Sequence, residues 1–478
     1  MAVYWRIFLS ASLVNICCTA SRKPQDAKRI GIIGGGIGGC ASSLFLRDAL
    51  RNDAYIVVYE AENISGRVRS VKLKGNEYEA GGSIFHEKNE LCQRLVKRFG
   101  LKTLKDEDDN NNQGTLINYG SKVLFRSSDW SVFNAMKAFY RYGFSPLKLK
   151  PWVDDYITKF ARIYDLFGRN CSYSRPSDLM FAADAELVDM FFLSLTDAMR
   201  KAGFGELFIT EVAGAAMRVN YNQETSVPAF VGSISLAGME GPLHRVKGGN
   251  EQLPHLACRS ADTISPTRVV SVKLLNDTRF QLVDDAGQTD TFDFVVLASP
   301  LVRDRTNVEF IGFPVHFTAG DWVGSYQTTV ATFVEGEPNF EYFGSSAFSA
   351  AFNIDPNGRW SSIGRLSTVT GNFPQMPVWK LFSRASLSDK SLSEMFLRVT
   401  AKTEVDWKAY PNYSEPPHYP PPFMLHSRLF YLNAVEWAGS AMEMSLIAAH
   451  NIANAISNEI LGLHPQCPLA ARTRHKDL

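Results

Sequence analysis

The sequence predicts an α/β fold in which a Rossmann-type dinucleotide-binding domain is interleaved with an α+β substrate domain. Three observations carry this. An apolar run, Arg29-Ile-Gly-Ile-Ile33, leads into Gly34-x-Gly36-x-x-Gly39 and then into the helical pattern Cys40-Ala-Ser-Ser-Leu-Phe-Leu46. A second apolar run, Tyr55-Ile-Val-Val-Tyr59, ends in the acid Glu60. Much later, Phe294-Val-Val-Leu-Ala-Ser-Pro300 and Leu429-Phe-Tyr-Leu432 read as further strands returning to the same unit.

Each glycine has a physical task. The first allows a tight turn, the second lets backbone approach a pyrophosphate, and the third lets helix and strand pack closely. The following helix presents its free N–H groups and positive dipole end to the phosphates. Glu60 stands where a carboxylate receives ribose hydroxyls. A lone GxGxxG also occurs in ordinary glycine-rich turns. Strand, glycines, helix, strand and acid in that order specify a dinucleotide site.

The stretch after Glu60, Ala-Glu-Asn-Ile-Ser-Gly66-Arg67, resembles the second dinucleotide motif of flavoprotein oxidases. There a glycine admits the backbone and an arginine faces the cofactor phosphates, where its planar fork can pair two oxygens. The usual pattern has two glycines before the arginine, and Ser65 replaces the first. Tyr78-Glu-Ala-Gly-Gly-Ser-Ile-Phe-His86 resembles the loop beneath the isoalloxazine ring in amine-oxidase-like flavoenzymes. Gly81 and Gly82 lack a Cβ and so allow backbone to approach a flat ring. Val246-Lys-Gly248-Gly249-Asn250 reads as a returning loop, and Leu429 to Ala449 as strand, turn and small-residue helix. In this superfamily that helix, starting near Glu443 and Met444, aims its positive end at the flavin pyrimidine ring and stabilises the anionic reduced form. The resemblance implies FAD rather than NAD.

Over most of its length the chain resembles the prenylcysteine oxidase family, with its amine-oxidase/glutathione-reductase-like fold. The most specific segments are PAFVGSISLAGMEGPLHRVKGGN and LFYLNAVEWAGSAMEMSLIAAHN, with YEAGGSIFH and IGIIGGGIGG in support. The resemblance implies oxidative cleavage of farnesyl- or geranylgeranyl-cysteine to cysteine, an isoprenoid aldehyde and hydrogen peroxide, in the breakdown of prenylated proteins. C1 of the prenyl group lies between sulfur and an alkene, so loss of a hydride leaves a cation shared by both. Flavin N5 accepts that hydride when C1 is held about 3–3.5 Å away. Water adds to C1, the hemithioacetal collapses, and molecular oxygen reoxidises the flavin. The hard chemistry belongs to the cofactor, while the protein supplies orientation and dryness. His86 and Glu436 are candidates for activating the water, each weighed against a hydrogen-bonding role in the loop or cofactor site. Two alternatives stand beside this: an amine or polyamine oxidase of the same fold, and a flavin-carrying secreted binding protein without significant turnover.

Met1 to Ala20 has Arg6 in front, the apolar core IFLSASLVNICC and a small final residue, the pattern of a cleaved secretory signal. The expected setting is the secretory route, with the lysosome foremost and secretion the alternative. The terminal His475-Lys-Asp-Leu478 only faintly resembles an ER-retention tail. Asn-x-Ser/Thr occurs at Asn63, Asn170, Asn276 and Asn412. Asn63 is expected to be buried beside the cofactor motif, leaving the other three for glycans.

Of seven cysteines, Cys17 and Cys18 leave with the signal, and the remaining five are an odd number. Their pairing is not legible in sequence. Cys40 is expected to pack inside the first helix, and no metal-ligand spacing occurs. A net charge of +1 without a basic block argues against nucleic acid. The 32 phenylalanines fit a large core, a pocket for a long isoprenoid, or both. Burying fifteen farnesyl carbons at about 0.8 kcal/mol each gives roughly 10 kcal/mol before ordering costs. Membrane-surface or lipoprotein association would fit so lipophilic a ligand.

The nucleotide domain is assigned to three pieces, 28–100, 240–312 and 425–462, and the substrate domain to 101–239 and 313–424. Val153, Ile157, Phe160, Ile163, Tyr164 and Phe167 recur at steps of three and four, predicting one or two helices over an apolar pocket. Pro146 and Pro151 are expected to break that pattern. The polar run 105–112 reads as a solvated loop, and the proline-rich 415–422 as a stiff connector.

Overall fold

A computed structural model describes residues 27–105, 113–127, 131–275, 279–302, 308–313, 324–414 and 420–468. The expected signal, Asn276, residues 106–112 and 415–419 and the HKDL tail lie outside the described residues.

Apolar runs without alternation should form strands buried on both faces, and they do. Thr263–Ser265, Ala54–Tyr59, Lys28–Ile33, Phe294–Leu297 and Leu429–Tyr431 lie side by side as a parallel sheet, closed at one edge by antiparallel Met424–His426. Three distant parts of the chain thus meet in one sheet. Ile30, Ile32, Ile56, Val58 and Val295 are fully buried in it. The helices Ile37–Leu50 and Met442–Leu461 pack against each other. A four-stranded sheet, 289–292, 279–284, 269–275 and 309–311, meets the first strand at Gly31, where a Cβ would lie 3.0 Å from Leu282. The glycine loop, Glu60, Ala298 and Leu432 all follow the carboxyl ends of parallel strands. Ligands bind at that edge in open α/β sheets.

The other half is built on a seven-stranded sheet in the order Phe396–Pro411, Tyr326–Pro338, Val378–Ser383, Ser362–Leu366, Ala350–Asn353, Thr115–Tyr119 and Lys122–Arg126. Helices between residues 131 and 237 cover one side of the intervening space. The periodic segment forms two helices, Ser131–Tyr142 and Ser145–Gly168. Pro146 sits in the first turn, where its missing N–H costs nothing, but Pro151 does not break the helix as expected. The carbonyl it deprives belongs to Leu147, a residue that is 70% exposed.

Two disulfides, Cys40–Cys258 and Cys171–Cys467, link the nucleotide helix to Gln252–Cys258 and residue 171 to the C-terminal segment. Cys40 is buried as expected, but it is also paired. Cys92 is the buried free thiol among the described residues. Asn63 is exposed, correcting the expectation of burial. It lies in the turn after Glu60, where Gly66 N–H donates to its carbonyl at 3.4 Å. Asn170 is exposed and Asn412 half-buried. No described helix is long and apolar enough to cross a membrane.

Candidate active site

The strand ends open into one cavity of about 1050 Å³, which reaches from the glycine loop to the substrate-side sheet and helices. Gly34 adopts φ +115°, and a Cβ there would lie 2.7 Å from the Ala298 carbonyl oxygen. On Gly39 a Cβ would sit 1.9 Å from the Gly34 carbonyl, so helix and turn touch only because it is glycine. A Cβ on Gly36 meets nothing within 4 Å. This second glycine faces the open cavity at the helix N-terminus, which is the cradle an anionic pyrophosphate requires. Glu60 Oε2 accepts from Gly35 N–H at 2.7 Å and Oε1 from Glu62 N–H at 2.9 Å, so it braces the loop while lining the cavity.

Ser65 stands at φ +125°, a backbone region that favours glycine, and its N–H donates to the Gly35 carbonyl at 3.0 Å. Gly66 follows at φ +57°. Arg67 lines the cavity, but its fork is engaged within the protein. Nη1 donates to Ala409 O at 2.6 Å and Glu436 Oε2 at 3.0 Å, and Nη2 bonds Glu436 Oε1. The expectation that both its arms meet phosphate oxygens is corrected accordingly.

Glu436 is fully buried and saturated. Besides Arg67 it accepts from Tyr326 OH at 2.8 Å and Asn433 Nδ2 at 2.6 Å. His86 is also committed. Its Nδ1 accepts from Lys88 N–H at 3.0 Å, which leaves Nε2 to donate to Glu240 O at 2.8 Å. Both candidates for water activation therefore hold structure at the cavity wall.

Gly81 is forced by contact, since a Cβ would fall 1.9 Å from the Arg67 carbonyl; on Gly82 it would lie 3.3 Å from Met442. These glycines and the start of the helix Met442–Leu461 form adjoining parts of the lining. Met444 is buried in that first turn. Glu443 touches the cavity, yet its carboxylate accepts from Leu91 N–H (2.7 Å), Cys92 N–H (2.9 Å) and Tyr164 OH (2.8 Å). It thereby caps the helix Glu90–Arg98. Burial raises its pKa and these hydrogen bonds oppose the rise.

The remaining walls differ in character. Tyr156, Ile157, Phe160 and Ile234 make an aromatic and aliphatic side, while Arg245, Lys380, Ser367 and Glu79 make a polar one. Glu79 lies within the quoted YEAGGSIFH motif, but nothing in the sequence marked its chemistry. Its Oε1 accepts from Asn250 N–H at 2.7 Å, and Asn250 Nδ2 donates to Gly82 O at 2.8 Å. Desolvation pushes the Glu79 carboxyl up to about 7. Arg245 and Lys380 were missed because two cations 135 residues apart carry no local pattern. Among the described residues no cluster of side chains could hold a metal ion.

Comparison with known proteins agrees with this geometry. Residues 32–99 match the NAD(P)-binding Rossmann-like domain, and residues 125–464 match the prenylcysteine lyase family. Prenylcysteine oxidase 1 of mouse is 33% identical, with 95% of this chain and 93% of the relative covered. The human protein of that name is 34% identical over 90% of this chain and 89% of its own, and human prenylcysteine oxidase 1-like is 31% identical over 93% of each. Among solved structures, cyclohexylamine oxidase from Brevibacterium oxydans superposes with TM-score 0.61 at 14% identity, covering 91% of this chain and 100% of that one. Putrescine oxidase bound to putrescine gives 0.61 at 15%, covering 90% and 99%. These two likenesses show the amine-oxidase fold. With a match spanning most of its length and relatives above 30% identity, the chain belongs to the prenylcysteine lyase family.

Proposed function

We propose that the chain is an FAD-dependent oxidase that cleaves the thioether of farnesyl- or geranylgeranyl-cysteine. The observation that carries the reading is continuity: the glycine cradle opens directly onto an aromatic-lined pocket in one cavity. FAD, when bound, supplies a hydride acceptor that molecular oxygen can restore. The fit rests on Gly36, whose missing Cβ leaves the helix N-terminus open, and on Gly81 and Gly82 beside Met442. Gly34 and Gly36 would hold the pyrophosphate with Gly39 seating the helix against the turn behind them, Glu60 the ribose, and the Gly81–Gly82 loop with the helix start at Met442–Met444 the ring. The chain's own task is positioning. Tyr156, Ile157 and Phe160 take the isoprenoid out of water, and the Arg67–Glu436–Tyr326 cluster fixes the wall beside it.

The test is anaerobic addition of farnesylcysteine to purified holoprotein, followed by admission of air. Bleaching of the flavin and then hydrogen peroxide are expected. A flavin that stays oxidised rejects the reading. If a prenyl ligand still raises the melting temperature, the chain is a binding protein, and reduction by spermine or benzylamine instead makes it an amine oxidase.

Placement in the secretory or lysosomal route is part of this proposal, supported by two disulfides of the kind that persist in oxidising compartments. Contact with a lipid surface belongs to it as well. Met136, Phe139, Tyr140, Phe144 and Leu147 are all exposed on one helical hairpin. Residues 131–150 carry four basic side chains and no acidic one, which suits anionic lipid.

A further inference from the structure

The cavity's polar wall carries two cations, Arg245 and Lys380. Arg245, on the strand Leu243–Val246, is half-buried and lines the cavity. Its Nη2 bonds Ser367 Oγ, its Nε has no hydrogen-bond partner, and it makes no ion pair among the described residues. A half-buried guanidinium facing a cavity without a paired carboxylate can form charge-assisted hydrogen bonds with an anion that arrives on the ligand.

Lys380 adds a second cation to the same wall. It donates to Glu79 O and to Ser83 Oγ, each at 3.2 Å, and its ammonium lies 5.1 Å from the Phe382 ring. Directly opposite on the neighbouring strand is Gly364, which lines the cavity and leaves open space over Lys380. Burial holds back the ionisation of the nearby acid. Glu79 is 94% buried with Oε2 unpartnered, and desolvation keeps it largely protonated below about pH 7.

We propose that Arg245, with Lys380 beside it, receives the α-carboxylate of the thioether amino acid. The aromatic helices then take the isoprenoid tail, and the sulfur and C1 lie between the two ends, next to the Gly81–Gly82 loop. Arg245 is in this sense a specificity-determining residue: it measures the distance from carboxylate to reacting carbon, and a prenyl group without an amino-acid head is held poorly. The assignment rests on the oxidase reading above.

Wild-type and Arg245→Gln holoprotein are compared with farnesylcysteine and with S-farnesylcysteamine, which lacks only the carboxylate. In wild type, farnesylcysteine should have a KM lower by about tenfold or more, as expected for a charge-assisted pair. Arg245→Gln should raise the KM for farnesylcysteine about 10–100-fold and leave that for S-farnesylcysteamine within about twofold. Flavin absorbance per chain should not change. Equal losses on both substrates, or loss of FAD, would assign Arg245 to the fold or the cofactor and overturn the proposal. Should the variant not fold, the wild-type comparison decides, because equal KM values for the two substrates contradict a carboxylate site. If neither thioether bleaches wild-type flavin, the oxidase reading itself fails and takes this assignment with it.

Discussion

The two walls of the cavity are made in opposite ways. On the nucleotide side the surface is backbone, and contacts exclude any side chain at Gly34, Gly39 and Gly81. On the substrate side it is side chain: Arg245, Lys380, Phe382 and Tyr156 project from strands and helices whose backbones are ordinary. A backbone wall tolerates one residue type at each contact, whereas a side-chain wall can be rebuilt in many ways. Substitutions should therefore act differently on the two. Gly39→Ala drives a Cβ to 1.9 Å from a backbone oxygen that cannot yield, so the purified chain should carry no flavin absorbance and should fold poorly. Arg245→Gln, across the cavity, should keep its full yellow colour. Similar loss of flavin from both would dissolve the distinction.

The walls are joined where Arg67 meets Glu436. The carboxylate is 1% exposed and accepts from Arg67, Tyr326 and Asn433, while Arg67 also holds the Ala409 carbonyl of the long strand Phe396–Pro411. Glu436→Ala leaves a guanidinium, a phenol and an amide facing an empty space. Breaking a buried pair from one side costs about 3–5 kcal/mol, reduced to about 2–4 here because Arg67 is 31% exposed. Chemical denaturation reads this directly. A loss below about 1 kcal/mol would mean that water replaces the carboxylate and that the junction is weak.

Acid titration separates the regions a third way. His450, in the nucleotide half, stacks 4.6 Å from Phe167 and lies 4.8 Å from Phe45, and burial lowers its pKa from 6.5 to about 4. The folded state leaves it neutral where the unfolded chain takes up a proton, so its stabilising contribution falls as pH drops from about 6.5 toward 4. Glu79, on the polar wall, has the opposite sign. Its pKa is raised from 4.5 to about 7, so the folded state holds a proton that the unfolded chain releases, and stability falls as pH rises through that window. Between about 4.5 and 6.5 the two slopes oppose each other, one proton each way. Glu79→Gln should unmask the histidine, with stability gaining about 2–3 kcal/mol from pH 4 to 6.5 relative to wild type. His450→Phe should unmask the carboxyl, with stability declining from pH 4.5 to 7. Parallel pH profiles for all three proteins would show that neither group titrates as its burial implies.

This contrast also explains what the sequence disclosed. The cradle was legible because a turn at φ +115° and a helix–turn contact leave glycine as the residue that fits, and such constraints repeat with fixed spacing. The aromatic wall was half-legible: the spacing of Ile157, Phe160 and Tyr164 announced a helix with one apolar face, but not which cavity it would line. Pro151 misled because the rule against interior proline weighs most where the backbone is buried, and the carbonyl it deprives belongs to Leu147, an exposed residue. Arg67 and Glu443 were seen as residues of the site but not as bonded to protein groups, and Glu436 was weighed as a hydrogen-bonding residue without its partners, because Arg67 and Glu436 lie 369 residues apart and Leu91 and Glu443 lie 352 apart. Arg245 and Lys380 left no trace, since a cation on a strand usually means only a solvated face. The cysteines behave alike, with 218 and 296 residues separating the partners.

Ser65 is the one place where the backbone wall carries a residue its geometry disfavours, and it gives the smallest and finest test. At φ +125° and 2% exposure its Cβ is held in a strained conformation while its N–H remains bonded to Gly35. Relief of such strain is worth about 1–3 kcal/mol, and the added freedom of glycine in the unfolded chain returns about 0.5–1 of it. Ser65→Gly should therefore stabilise the apoprotein by about 1 kcal/mol, seen as a higher denaturation midpoint. The holoprotein adds a second readout. An unchanged gain with FAD bound would mean that the serine is merely tolerated. A gain in the apoprotein that disappears in the holoprotein would mean that its hydroxyl contacts the cofactor, with the strain kept for the sake of that contact. A lower midpoint in the apoprotein would show that the strain reading is wrong and that the cradle of this chain is shaped around serine.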